Sequence, residues 1–235
     1  MLTDLTSRVR EPEIMDRPDL DPSEHRRALD GLARLNVAAM SSRAFLGPLL
    51  NWSRRLNRTL RILDVASGAG DSLIALKRAA TRRGLALEAF GCDRSPTAIE
   101  HASERARRAG VEVGFQVADV LLDQDAPVEA DIVLNSLFVH HLSEQETIGF
   151  LRRMTRWAKH GVIIVDLLRT RFDYALAFAS SRLLTRSPVV HFDALASVRA
   201  AYTLSEIRDL TQRAAIANAR IERVWPERFR WSVAR

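Results

Sequence analysis

From Arg61 onward, short apolar runs alternate with longer amphipathic stretches, a rhythm that few folds accept. The runs are RILDVA (61–66), ALEAFGCD (86–93), VGFQVAD (113–119), ADIVLNS (130–136) and GVIIVDLL (161–168). Runs of this length read as strands, and the intervening stretches near 71–83, 95–109, 143–158 and 171–185 read as helices with one apolar stripe. Repeated βα units of this kind predict a three-layer α/β fold around a largely parallel sheet. Residues 186–202 interrupt the alternation and form a candidate lid or substrate-binding insertion. A helix is expected over 203–216, started by Thr203 or Ser205 with Glu206 close behind. The end, NARIERVWPERFRWSVAR, reads as two strands turning at Pro226 and Glu227, which brings the expected sheet to seven strands with the last one antiparallel.

The first sixty residues follow other rules. EPEIMDRPDLDP (11–22) holds three of the chain's eight prolines among acids and favours an extended or turn-rich arm. A helix capped by Asp21 or Ser23 is expected from His25 to Asn36, with Leu29, Leu32 and Leu35 at three-residue spacing, and another from Arg43 to Asn57. The expected organisation is therefore an arm with helices over 1–60 that cover the active site. One domain follows over 61–235, with a helical insertion at about 171–202. At 235 residues, one large domain is a better fit than two small ones.

Composition narrows the function class. The chain is 47% hydrophobic and 27% charged, which excludes neither enzyme nor binding module but argues against disorder. No window is long and apolar enough to span a bilayer, and the start lacks an apolar signal core, so a cytoplasmic protein is expected. A single cysteine, Cys92, offers neither an internal disulfide nor a zinc framework, and no metal is expected. The net charge of +6 raises the question of nucleic acid. The basic residues are nearly all arginine, with lysine only at 77 and 159, and are spread along the chain. The densest groups, Arg105 with Arg107 and Arg108, and Arg152 with Arg153 and Arg156, are expected on outer helix faces.

Chemistry concentrates in Leu63-Asp64-Val65-Ala66-Ser67-Gly68-Ala69-Gly70-Asp71, which closes a strand and opens a helix. Small residues at Ala66, Gly68 and Gly70 let the backbone turn tightly and let a ligand approach, while the helix N-terminus favours a carboxylate or phosphate. Asp93 ends the next strand, at the distance where an acid reaches ribose hydroxyls; its carboxylate can accept from a vicinal diol and repels a 2′-phosphate. Asp119 ends the third strand in Val117-Ala118-Asp119-Val120 and can accept from an adenine amino group. Strand-end aspartates also cap the following helix, so each has a plain structural alternative.

These segments resemble the class I, Rossmann-like S-adenosylmethionine-dependent methyltransferase family from roughly Arg61 to Asp166. LDVASGAGD corresponds to the cofactor loop, GCDRS to the ribose acid with Arg94 beside it, VADV to the adenine acid, and DIVLNSLFVHHLSEQE to the fourth strand and its turn. Within that family the chain is most similar to small-molecule enzymes of quinone biosynthesis and polyketide tailoring. Ala66 departs from the family's usual glycine. The resemblance implies S-adenosylmethionine as cofactor and S-adenosylhomocysteine as product. It implies that Asp64 orients the loop or meets the methionyl ammonium, and that Ala66, Ser67, Gly68 and Gly70 border the methionyl portion. Asp93 would hold the ribose, Asp119 with Val120 the adenine, and Asn135, Ser136 and Leu137 the wall nearest the sulfonium. Arg34 and Asn36 would close over the cofactor.

Methyl transfer is an in-line displacement at an already activated carbon, so alignment and removal of the acceptor's proton are what the protein must supply. His140 and His141 follow strand four, and Asp166 and Arg169 follow strand five, all near the carboxyl edge where ligands bind in such sheets. His141 is the first candidate base, with His140 and then His191 as alternatives. Arg169 is a candidate anchor for an acidic or enolate acceptor, unless a salt bridge to Asp166 or Asp173 consumes it. Tyr174 to Phe178 with Leu183, Leu184 and Phe192 is a candidate apolar pocket lining. A phenolic, quinol or polyketide-like hydroxyl is the expected acceptor, and a monomer or homodimer the expected state. A nucleic-acid methyltransferase is the first rival, opposed by Asn135-Ser136-Leu137-Phe138, which is not an Asn-Pro-Pro-aromatic turn. A nicotinamide-dependent reductase is opposed because Tyr174 and Tyr202 are followed by Phe178 and Glu206 where a lysine is needed. A cofactor-binding fold with no catalysis is the third possibility.

Overall fold

The computed structural model describes residues 4–17, 19–21, 23–24, 26–28, 31, 34–35, 43–122 and 125–235. The expected helix from His25 to Asn36 lies partly outside these residues, Leu29, Leu32 and Asn36 among the parts not described. Helix α1 spans Arg43–Leu56 and precedes strand β1, Leu60–Val65. Then follow α2 (Asp71–Thr81), β2 (Leu87–Asp93), α3 (Pro96–Arg108), β3 (Gly114–Val117) and β4 (Ala130–Ser136). A 3-10 turn at Val139–His141 leads into α4 (Glu144–Trp157) and β5 (Ala158–Leu167). Helices α5 (Arg171–Leu184), α6 (Pro188–Ala200) and α7 (Leu204–Arg213) precede the closing hairpin of β6 (Arg220–Val224) and β7 (Arg228–Ala234).

The strands form one seven-stranded sheet in the order β3-β2-β1-β4-β5-β7-β6. β1 to β5 pair in parallel, and β7 runs antiparallel to both β5 and β6. The chain winds outward from β1 to β3 and then returns to β4 on the other side of β1. Strand order therefore reverses between β1 and β4, where α/β sheets leave a crevice beyond their carboxyl ends.

The central strands β1, β4 and β5 are buried on both faces, which explains their continuous apolar runs. Leu63, Val65, Val133, Val162 and Ile164 join Phe150, Met154 and Trp231 in one core. The alternate residues Ile62, Ile132, Leu134, Ile163 and Val165 pack on the other face with Phe45, Leu49, Trp52, Leu73 and Leu76. Pro48 lies inside α1 and has no N–H to give the Ala44 carbonyl. Arg230 Nη1 on β7 donates to that carbonyl at 3.0 Å, tying the helix to the sheet.

Two strand boundaries change, and the helical insertion expected at about 171–202 gains detail. β5 begins at Ala158, three residues early, because Ala158 already pairs with Ala130 and the polar Lys159 and His160 hide the strand from the hydropathy pattern. β3 stops at Val117, since the Asp119 carboxylate accepts the Leu121 N–H at 2.8 Å and bends the chain. The interruption at 186–202 is mostly a regular helix, α6, capped by Ser187 and started with Pro188. Its two ends escaped notice because nearly every position along it is apolar or small.

Candidate functional site

β1 ends at Val65 and the chain turns through Ala66 (φ 51°), Gly68 (φ 51°) and Gly70 (φ 73°) before α2. A Cβ at Gly70 would lie 2.7 Å from the Phe115 ring, whereas one at Gly68 would meet nothing within 4 Å. Gly70 is thus demanded by packing, and Gly68 faces open space. The turn is pinned by three bonds: Ser67 N–H to the Cys92 carbonyl, Gly70 N–H to the Ser67 carbonyl, and Gly68 N–H to Asp93 Oδ2, each 2.9 Å. Among the described residues the Ser67 hydroxyl is buried with no hydrogen-bond partner, a polar atom left for a ligand to satisfy.

The expected acids occupy successive strand ends. Asp93 also accepts the Ser95 N–H at 3.0 Å, so it braces both the β1 turn and the start of α3. Asp64 is buried beneath the turn, where burial and then the nearby Asp93 carboxylate push it up to about 7. Arg94 is exposed, and Val120 is packed in the core against the sheet. Asn135 is fully buried and donates from Nδ2 to the Val65 carbonyl at 2.9 Å. It holds the β1 end, while its neighbours Ser136 and Leu137 reach the cavity.

That cavity, about 440 Å³, opens beyond the carboxyl ends of β1, β4 and β5. The turn Ala66–Ala69 forms one wall, and the 3-10 turn carrying His140 and His141 forms another. Met15, Leu35, Leu137, Leu176, Leu184 and Val198 make it largely apolar. Asp166 Oδ1 sits 2.7 Å from His140 Nδ1, and its other oxygen accepts the His140 backbone N–H at 3.2 Å. Burial opposes charge on both partners, but each outweighs it for the other: His140 is raised and Asp166 is held below the usual carboxylate range. Nε2 of His140 lies 3.9 Å from Glu13 Oε1, and Nε2 of His141 lies 4.0 Å from the same oxygen. Burial and then His140 push His141 down to about 3. That shift favours the neutral form of His141, while Asp166 orients the His140 ring through Nδ1.

Arg169 lies away from the cavity lining and has no free donor fork to offer an acceptor. Its guanidinium is buried and spans Glu206 (2.5 and 2.9 Å) and the carbonyls of Ala201 (2.6 Å) and Leu5 (3.1 Å). The salt bridge foreseen for it is real, but its partner is Glu206 rather than Asp166 or Asp173. His191 Nε2 donates to the Thr185 carbonyl at 2.9 Å and braces the α5–α6 junction. Phe178, Leu183 and Phe192 are exposed, while Leu176, Ala177 and Leu184 of α5 line the cavity. Arg34 is exposed and stands outside the cavity lining, unlike its neighbour Leu35.

Sequence reasoning missed Glu13, Asp173 and Arg228 as lining residues. Burial pushes Asp173 up to about 6 although Arg228 stands 3.3 Å away. Glu13 reaches the cavity because the arm is strapped across it. Arg8 donates to the His140 carbonyl and Arg10 to the His141 carbonyl, each at 2.6 Å. Val9 N–H bonds the Arg199 carbonyl, and Asp193 accepts the N–H groups of Ile14 and Met15. The signal was present only as an acid-rich, proline-marked arm, with nothing to indicate where it lands.

The arginine groups do not form a stripe. Arg105 pairs with Asp71, Arg107 and Arg108 with Glu104, and Arg152 and Arg153 turn inward to backbone carbonyls. Tyr202 is buried, stacked under Arg8, and its hydroxyl donates to the Leu142 carbonyl at 3.0 Å, so it offers no free phenol to a reductase reaction. Among the described residues, no helix is long and apolar enough to cross a membrane.

Residues 62–161 match the family described as Methyltransferase domain. Indolepyruvate C-methyltransferase of Streptomyces griseus is 29% identical over 130 residues, which is 54% of this chain and 38% of that protein. The chain thus spans well under half the length of that curated relative. The plantazolicin methyltransferase BpumL, solved in complex with a triazolic desmethylPZN analog and SAH, superposes with a TM-score of 0.67 at 16% identity over 92% of both chains. A SAM dependent methyltransferase from Aquifex aeolicus gives 0.54 at 19% identity, over 74% of this chain and 81% of that one. At such identities the likeness is one of fold.

Proposed function

We propose, from the match of residues 62–161 to the methyltransferase-domain family and the shared fold, that the chain transfers a methyl group from S-adenosylmethionine to a small organic acceptor held in the 440 Å³ cavity. One observation carries this reading: the bare turn at Gly68, with the unpartnered Ser67 hydroxyl, meets the histidine wall in a single largely apolar chamber. The chamber is of ordinary size for a small-molecule site. On this reading the open space at Gly68 would take the methionyl head, and Asp64 and Asp93, at the strand ends beside the cavity lining, would answer the ammonium and the ribose.

The cofactor brings a carbon already activated for displacement. In the transfer the S–CH₃ bond would break with its electron pair going to sulfur as a bond forms to the acceptor atom, whose proton would pass to His140 Nε2. Ser136 and Leu137 would border the methyl, residues of α5 and α6 close the apolar side, and the acceptor's reacting atom would face His140 and His141. Asp166 fixes the His140 ring so that Nδ1 is committed and Nε2 is presented to the chamber. We infer a phenolic, quinol or polyketide-like hydroxyl as acceptor. The scattered, ion-paired arginines and the enclosed chamber favour such a molecule over nucleic acid.

The test is calorimetry with S-adenosylhomocysteine against NADH, repeated on Asp93→Ala. Micromolar-range binding of the first and none of the second is expected, with a loss of at least about tenfold on mutation. Transfer of labelled methyl to a panel of phenols, quinols and polyketides then identifies the acceptor. Indolepyruvate belongs in that panel because the Streptomyces relative is named for methylating it at carbon. Binding of NADH in place of the homocysteine product would end the proposal.

A further inference from the structure

Three atoms able to ligate a metal converge in the wall of the chamber: Glu13 Oε1, His140 Nε2 and His141 Nε2, all within 4.8 Å of one another. We propose that they form a site for one transition-type divalent cation, Zn²⁺ or Fe²⁺ in class, at the acceptor end of the cavity. The proposal rests on the reading above only for its chemical consequence; the site itself stands on geometry.

Two imidazoles and one carboxylate suit zinc and iron, whereas magnesium and calcium prefer all-oxygen sets. Metal-bound ligand atoms sit roughly 3.0–3.4 Å apart when bonds are near 2.1 Å. The observed 3.9 and 4.0 Å from Glu13 to the two histidines, and a spread of up to 4.8 Å within the trio, mean that the ligands must close inward by about 0.5–1.5 Å. Two of the three side chains, His140 and Glu13, are already oriented by side-chain bonds. Asp166 takes His140 Nδ1 at 2.7 Å, the carboxylate–histidine arrangement that orients ligands in metal sites and leaves Nε2 for the ion. The Ser197 hydroxyl donates to Glu13 Oε1 at 2.5 Å. Arg8 and Arg10 bond the backbone carbonyls of His140 and His141, fixing the turn that carries both rings.

Charge agrees, since Glu13 and Asp166 together balance a divalent ion in a largely apolar chamber. Three protein ligands leave positions open on the cavity side. An acceptor hydroxyl bound there would lose its proton to solvent water more readily and be held for attack as the metal-bound oxyanion, with His140 and His141 serving as ligands rather than as bases.

The experiment is a titration of Zn²⁺ and Co²⁺ into chelator-stripped protein by calorimetry, with the visible absorption of Co²⁺ as an independent readout and S-adenosylhomocysteine titrated into the same samples. Uptake of about one ion per chain is expected, with visible Co²⁺ bands of low-symmetry coordination. Glu13→Gln, which preserves shape, and His141→Ala should each weaken uptake at least about tenfold, and Asp166→Asn by about tenfold through His140. Uptake of no ion at micromolar metal, or unchanged uptake in Glu13→Gln and His141→Ala, overturns the site. Homocysteine-product binding without ion uptake sinks the cation alone, whereas ion uptake without product binding sinks the transferase reading alone.

Discussion

Gly68 gives its amide hydrogen to Asp93 Oδ2 at 2.9 Å, so the carboxylate proposed for a ribose also shapes the turn proposed to receive the amino-acid head. The second oxygen holds the Ser95 N–H. Asp93→Asn keeps the volume but must present an N–H to one of two donors. Product affinity should fall by at least about tenfold, since bonds to a charged group are worth roughly 1.5–3 kcal/mol. The thermal midpoint should drop as well. Calorimetry paired with thermal melts checks this, and a variant that melts early yet binds normally would remove Asp93 from the binding site.

The two glycines of the turn should separate stability from binding. Gly70→Ala forces a Cβ to within 2.7 Å of Phe115 at a φ of 73°, and a cost of about 1–3 kcal/mol is expected in denaturant melts. Gly68→Ala adds a methyl in open space at the same φ, 51°, that Ala66 already adopts. Its melt should move less, while affinity for the homocysteine product drops because the methyl fills the ligand's space.

Asp64 predicts a pH dependence. Its folded value near 7 stands above the ordinary 3.8, so the neutral form is favoured in the fold. The stability cost of this burial is absent below about pH 4, grows between about pH 4 and 7, and is complete above. Asp64→Asn should therefore melt higher than the natural protein at pH 8, with the gap closing toward pH 4. A bound ammonium favours the ionised form, so product affinity should rise by up to about tenfold from pH 6 to 8 and be flat in the variant. A pH-independent affinity in the natural protein would separate Asp64 from the ammonium.

Arg169→Met should act on folding and leave acceptor KM unchanged. The guanidinium is buried, while Glu206 is more than one-third exposed and retains its capping bond to Thr203, so a loss at the low end for buried pairs is expected, about 2–3 kcal/mol. For a chain of this size that lowers the midpoint by about 5–10 °C. A raised KM at an unchanged midpoint would restore Arg169 to the acceptor site.

The centre of the sheet was legible because β1, β4 and β5 are buried on both faces and the helices on one, so local pattern and tertiary environment agree there. Boundaries slipped where they diverge: Lys159 and His160 continue a strand through backbone pairing alone, and Asp119 ends one through a side-chain bond. The turn from Ala66 to Gly70 could be read because its conformation is written in its own small residues. Glu13 could not, since its place depends on contacts with residues more than a hundred positions away, such as Ser197. Arg169 misled for the same reason: its position at a strand end suggested a ligand, and only the packing of α7 reveals that Glu206 claims it.

The guanidinium groups of Arg8 and Arg10 clasp two consecutive carbonyls that lie 132 and 131 residues farther along the chain. Both arginines precede the segment that matches the methyltransferase domain. Deleting the arm alone would spare the turn at Gly68 while stripping away Glu13 and the brace behind both histidines. A different arm on the same sheet would accordingly replace one wall of the chamber and leave the β1–β4 crevice as it stands.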